Sequence, residues 1–188
     1  VIRAHRDEFH DYRGYAGRVE GGVFKPGDEV VALPSGLGSK IKSIDTFDGA
    51  VEEAFAPMSV TITLEDDLDV GRGDMLVRPN NQPQVSQDLD VMLCWLNKSG
   101  PMPKAKYILR HTSNEARCMI TNVLYKVDVN TLHREEVETE IKVNDIARVK
   151  IRTTKPLLVD SYKVNRGTGS LILIDEATNE TVAAAMVI

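Results

Sequence analysis

The residues Ala16–Leu33, AGRVEGGVFKPGDEVVAL, constrain this chain most. They read as a strand, a Gly21-Gly22 break, a short apolar step, a tight turn at Lys25-Pro26-Gly27-Asp28 and a second strand. Pro26 presets φ at the first central position of the turn, and Gly27 supplies the positive φ that a type II turn needs at the second. Glu29-Val30-Val31-Ala32-Leu33 is β-branched and apolar, as suits a half-buried strand. The stretch predicts a hairpin around which a barrel or sandwich is organised, not a helical core.

The rest of the chain keeps this style. Lys40–Phe47 alternates, with Ile41 and Ile44 facing inward, and Asp48-Gly49 closes it as a hairpin turn. Val51–Ala56 is a further short strand stopped by Pro57, and Ser59–Leu64 puts Val60, Ile62 and Leu64 on one face. Gly71–Asp74 turns into the strand Met75–Arg78, and Pro79–Pro83, PNNQP, is the clearest linker. Beyond it, Leu89–Leu96 is a continuous apolar run, expected to be a strand buried on both faces. Ala105–His111 and Ala116–Val129 follow as strands, and Arg134–Glu140 is a charged connection. Ile146–Thr154 sets Ile146, Val149 and Ile151 against a basic stripe of Arg148, Lys150 and Arg152, read as the wet face of a half-buried sheet. Ser170–Ile174 and Thr181–Ile188 close the chain around an Asp175–Glu180 turn. The prediction is an all-β protein of two domains, residues 1–83 and 84–188.

Composition supports two separately built halves. The 188 residues carry 23 basic and 28 acidic side chains, a net charge of −5. Val1–Pro83 holds 9 basic and 15 acidic residues, whereas Gln84–Ile188 holds 14 and 13. An acidic balance argues against nucleic acid as a partner, because such proteins carry a basic footprint. No apolar run of about 18 residues is present, so no membrane span is expected. Cys94 and Cys118 read as reduced, buried thiols, which with no signal peptide points to the cytoplasm. The chain opens at Val1-Ile2-Arg3 as if inside a strand and reads as a fragment of something longer.

No catalytic, metal or cofactor-binding constellation emerges. His5, His10, Asp7 and Asp11 lack the closed Cys/His spacing of a zinc site, and Glu65–Asp69 lacks the glycine turn and distal Glu of a calcium loop. Phosphate-loop, dinucleotide and nucleophile-elbow patterns are absent. Asn97-Lys98-Ser99-Gly100 has Gly100 where a guanine-reading motif needs Asp. Arg166–Ser170 precedes a strand instead of a helix N-terminus and reads as a turn. The four histidines, His5, His10, His111 and His133, are spread over the chain, and their spacing alone supports no site. Cys94 lies in an apolar run that disfavours a thiolate nucleophile.

Several strings sharpen the picture when taken in order: HRDEFHDYRGYAGRV at His5–Val19, LPSG at Leu33–Gly36, LCW at Leu93–Trp95, YKVDVNTL at Tyr125–Leu132 and NRGTGSLILIDEATNETVAA at Asn165–Ala184. Together the chain resembles the GTPase-type large subunit of bacterial sulfate adenylyltransferase, within the superfamily of translation-factor GTPases. One departure is Ala183-Ala184-Ala185, where relatives often have glycine.

The resemblance implies two tandem β-barrels like domains 2 and 3 of translation-factor GTPases, downstream of a GTPase domain that this chain lacks. GTP and Mg would bind in that missing part, so no nucleotide residue carries over. It further implies a role in making adenosine 5′-phosphosulfate and pyrophosphate from ATP and sulfate, with the small catalytic subunit and the chain's own GTPase domain as partners. Arg6, Phe9, Tyr12 and Arg13 are the candidate interface, since arginine and aromatics suit hot spots. The rival reading is a binding module of a translation-type GTPase touching RNA or a protein factor, which the acidity of the first half counts against. A fused adenylylsulfate kinase domain beyond Ile188 stays open.

Overall fold

The computed structural model describes residues 1–3, 12–101, 105–131, 133–135 and 141–188, and all their regular structure is β-strand. They form two compact units, Val1–Gln82 and Pro83–Ile188. The first holds β1 (Ile2–Arg3), β2 (Arg13–Arg18), β3 (Val23–Phe24), β4 (Glu29–Leu33), β5 (Leu37–Thr46), β6 (Gly49–Ala50), β7 (Ala54–Phe55), β8 (Ser59–Leu64) and β9 (Met75–Val77). The second holds β10 (Gln84–Trp95), β11 (Tyr107–His111), β12 (Asn114–Val127), β13 (Arg134–Glu135), β14 (Ile146–Val159), β15 (Ser170–Asp175) and β16 (Thr181–Val187).

In the first unit the pairing order is β1-β2-β8-β5-β4-β9, with β6 added on β5 and a separate β3-β7 ribbon. The Lys25–Asp28 turn forms as the sequence predicts: Gly27 has φ +91°, and the Asp28 amide donates to the Lys25 carbonyl at 3.1 Å. The strands flanking it do not form a hairpin, however. β2 pairs with β8, whereas β4 pairs with β5 and β9. The turn instead clamps β5, since Gly27 N–H donates to the Ile41 carbonyl at 2.7 Å and Ile41 N–H to the Asp28 carbonyl at 3.0 Å.

That clamp sits at an irregularity which makes the core possible. Residues three apart on a regular strand point to opposite faces. The β5–β8 register slips between Ile41 and Ser43, so Lys42 is the extra residue of a bulge. Ile41 and Ile44 therefore both turn inward, at 1% and 0% exposure. They pack with Tyr15, Val30, Val60, Ile62 and Leu64. Only Ala54–Phe55 of the predicted Val51–Ala56 strand pairs, because its partner β3 is two residues long.

The second unit is a closed barrel, β11-β15-β16-β10-β14-β12, with β12 returning to β11. Closure leaves no unpaired edge among these six strands. Its interior takes Leu89, Val91, Leu93 and Trp95 from β10, together with Ala147, Val149 and Ile151 from β14. Two expectations are corrected here. The Leu89–Leu96 run is not buried on both faces: Asp90, Met92 and Cys94 are only half-buried and lie on the outer wall. On β14 the inward set begins at Ala147 and not Ile146, as the period of two requires once Val149 and Ile151 point inside. Arg134–Glu135 pairs with β12, and residues 136–140 of the predicted connection lie outside the described residues. Trp95 stands edge-on to Tyr107, with centroids 5.9 Å apart at 79°, and its indole N–H donates to the Ser99 carbonyl at 2.7 Å.

The loop leading into β15 is pinned from several sides. Asn165 Oδ1 accepts the Gly167 and Thr168 amides at 2.9 and 3.4 Å, and Thr168 Oγ1 donates to Asp160 at 2.6 Å. Buried His111 reaches from β11, its Nε2 donating to the Thr168 carbonyl at 2.7 Å. A Cβ on Gly169 would lie 2.4 Å from the Tyr162 Cα and 2.6 Å from the Asn165 carbonyl oxygen, both backbone atoms that cannot swing aside. Gly169→Ala should therefore cost about 1–3 kcal/mol of stability. Gly17→Ala, whose Cβ would meet nothing within 4 Å, should be tolerated. Thermal melts of the two variants side by side test this, and equal melting temperatures would refute it.

Candidate interaction surfaces

The sequence-predicted interface divides unevenly. Arg6 and Phe9 lie outside the described residues. Tyr12 and Arg13 are both engaged by their own unit. Burial, and then the nearby Asp45 carboxylate, raise the Tyr12 phenol above its ordinary value. The Arg13 side chain is 17% exposed, its guanidinium lies 5.7 Å from the Tyr15 ring centroid, and it stands 3.9 and 3.8 Å from Asp67 and Asp69. Asp67 and Asp69 are otherwise in water, so the Glu65–Asp69 loop serves as a counter-charge to Arg13. Leu68 at its centre is buried, and its carbonyl accepts the Tyr15 hydroxyl at 2.7 Å.

On the second barrel, the two arginines of the basic stripe on β14 pair with acids of the neighbouring strand. Arg148 forms a two-pronged pair with Asp90, at 2.9 and 2.7 Å, and Arg152 binds Asp88 at 3.0 and 2.9 Å. The forked Arg148–Asp90 pair fixes geometry as well as charge. Residue spacing alone missed a platform beside them. Arg134 and Arg148 lie 4.7 and 6.0 Å from the Tyr125 ring centroid. No local pattern signals this, because strand pairing and not chain proximity brings β12, β13 and β14 together there.

Among the described residues the candidate nucleophiles and ligands do not converge. A recess of about 350 Å³ in the first unit is lined by Glu29, Lys40, Glu65 and Asp66 among others. Its one hydroxyl, Ser39, is already bonded to Asp66, donating to Oδ2 at 2.9 Å and accepting the Asp66 amide at 3.1 Å. Among the described residues no three His, Cys, Asp or Glu side chains could hold a metal ion. His133 is exposed, and His5 and His10 lie outside the described residues. Asn97 of the NKSG string caps its own turn, accepting the Ser99 amide at 2.9 Å. Among the described residues no helix is long and apolar enough to cross a membrane. The thiols differ, contrary to expectation: Cys118 is buried, while Cys94 is half-exposed on the barrel's outer wall.

Residues 88–188, more than half of the chain, match the model of the GTP-eEF1A C-terminal domain-like family. The chain belongs to that family. Among curated relatives, it is 48% identical to the bifunctional enzyme CysN/CysC of Mycobacterium tuberculosis over 100% of the chain and 31% of that protein. It is 46% identical to sulfate adenylyltransferase subunit 1 of Bacteroides fragilis over 95% of the chain and 37% of that protein. The chain thus spans about a third of the length of these relatives. The fold resembles sup35 complexed with GDP, with a TM-score of 0.82 at 17% identity over 94% of the chain and 45% of that structure. It also resembles the apo elongation factor SelB of Methanococcus maripaludis, with a TM-score of 0.74 at 19% identity over 92% of the chain and 38% of that structure. The expected resemblance to the large subunit of sulfate adenylyltransferase and the expected all-β, translation-factor-like fold both hold.

Two outcomes follow from these surfaces in this family member. The Arg148 hydrogen bond holds Asp90 below the usual carboxylate range against the opposing effect of burial. A depressed folded-state pKa means that Asp90 stabilises the fold above the ordinary carboxylate value near pH 4, and that this stabilisation fades as pH falls through the folded value. The stability gap between the parent and Asp90→Asn should be widest near about pH 7 and narrow near about pH 3. Urea midpoints measure it, and a gap independent of pH would count against the pairing. Burial also pushes the Cys118 thiol up to about 12, so a thiol reagent at neutral pH should modify Cys94 first and reach Cys118 only with denaturant. Mass spectrometry of partly labelled protein reads the order, and early Cys118 labelling would contradict its burial.

Proposed function

We propose that this chain forms the two β-barrels of a GTP-hydrolysing large subunit of sulfate adenylyltransferase. The parent protein would support synthesis of adenosine 5′-phosphosulfate and pyrophosphate from ATP and sulfate. Identity of 40–46% to proteins named sulfate adenylyltransferase subunit 1, over 95% of the chain, carries the reading. Its partners would be the small catalytic subunit and a GTPase domain of its own polypeptide.

The residues suit a docking and coupling role. Loop donors that could have cradled a phosphate, as at Gly167 and Thr168, are spent on Asn165. The described acids do not cluster as a metal site. On this reading GTP and Mg would bind in the part of the relatives that this chain does not span. The translation-type alternative rests on a likeness of fold at 17–19% identity, and the excess of carboxylates over cations in the first unit disfavours RNA.

The chain alone should hydrolyse no GTP and form no adenosine 5′-phosphosulfate, while binding the small subunit saturably in a calorimetric titration. Turnover of either substrate by the pure chain would sink the docking role. Absence of binding would remove the barrels from the subunit contact.

A further inference from the structure

One segment of the first unit carries more apolar surface and more negative charge than its fold uses. Phe47 stands at the tip of the β5–β6 hairpin with its side chain wholly in water, at 104% exposure. The tip is held: Thr46 pairs with Gly49, Thr46 Oγ1 donates to the Gly49 carbonyl at 3.0 Å, and Gly49 takes φ +118°. A short, tied turn thus presents the ring to solvent. Eight residues on, Phe55 is also exposed and sits opposite exposed Val23 in the β3–β7 ribbon. Asp48, Glu52 and Glu53 are exposed in the same segment. Lys25 meets Glu53 at 3.2 Å. Between Lys42 and Arg72 the chain carries eight carboxylates and no lysine or arginine.

A lone exposed apolar residue on a soluble protein needs no explanation. Here an aromatic at a rigid tip lies in one stretch with a second aromatic and a one-signed set of charges. Aromatic anchors are typical interface hot spots, and charges of one sign at the rim select and steer a partner of the other. Phe47 contributes nothing to the core of its own unit, whereas Tyr12 and Arg13 of the sequence-predicted interface are already engaged there.

We propose that the segment Asp45–Phe55 is a docking surface for a protein partner with an apolar cleft rimmed by lysine and arginine, Phe47 being the anchor that enters the cleft. On the functional reading above, on which this rests, that partner is the small catalytic subunit. The acidic stretch supplies attraction at a distance, and the ring supplies the contact that holds.

The test uses the protein at its full native length and the purified small subunit, with binding followed by interferometry at several salt concentrations. Phe47→Ala should raise Kd about tenfold or more, chiefly through faster dissociation. The Asp48→Lys, Glu52→Lys double variant should slow association and flatten its salt dependence. Both variants change exposed positions, and their melting temperatures should match the parent's. If the parent binds and every variant binds within about twofold of it, the docking surface is overturned while the functional reading stands. If the parent itself does not bind the small subunit, both fall.

Discussion

A strand in a small barrel can send only every second side chain inside, and both units depend on how that constraint is met and locally broken. In the first unit the extra residue Lys42 resets the phase of β5 so that Ile41 and Ile44 share one core. The Gly27–Asp28 backbone binds at that same point, so the Lys25–Asp28 turn and the bulge support each other. Asp28 ties in the far strand as well, since its Oδ2 accepts the Lys25 amide at 2.9 Å and the Arg78 guanidinium at 2.7 Å. In the second unit β12 slips register twice against β14, between Ile120 and Asn122 and again between Val123 and Tyr125. Bulges of this kind increase bend and twist, and β12 is the strand that must reach both β11 and β14 for the barrel to close.

What could be read from the residues follows the same logic. Val60, Ile62 and Leu64 on β8 obey a strict period of two and are all buried, and the Pro26-Gly27 turn follows from backbone sterics alone. Which strands pair was not legible, because pairing partners are set by the whole sheet. The Ala16–Leu33 stretch looked like a hairpin since its strands adjoin in sequence, yet each has its partners elsewhere. The apolar run at Leu89–Leu96 misled in another way: Met92 and Cys94 are apolar without being inside, and only the phase set by Leu93 and Trp95 separates them. Residues of a recognisable string could be named as candidates from the sequence, whereas the cluster around Tyr125 could not, because strand pairing assembles it.

The two units handle charge differently. On the second barrel Asp88 and Asp90 meet Arg152 and Arg148 across adjacent strands, so its wall is nearly self-neutralising. Among the described residues, the long acidic stretch of the first unit pairs with Arg13 and Lys25. Surface pairs of this kind contribute little to stability. Their arrangement matters more for what approaches each unit, and the stretch between Lys42 and Arg72 turns charge of one sign toward a partner.

Trp95 is the only tryptophan of the chain, and it is sealed in the second barrel against Tyr107. Its emission therefore witnesses the loss of one barrel and is silent about the other. A melt followed by fluorescence and one followed by heat absorption sample different parts of the molecule. Their agreement or separation would reveal whether the two barrels come apart as one cooperative body or in turn.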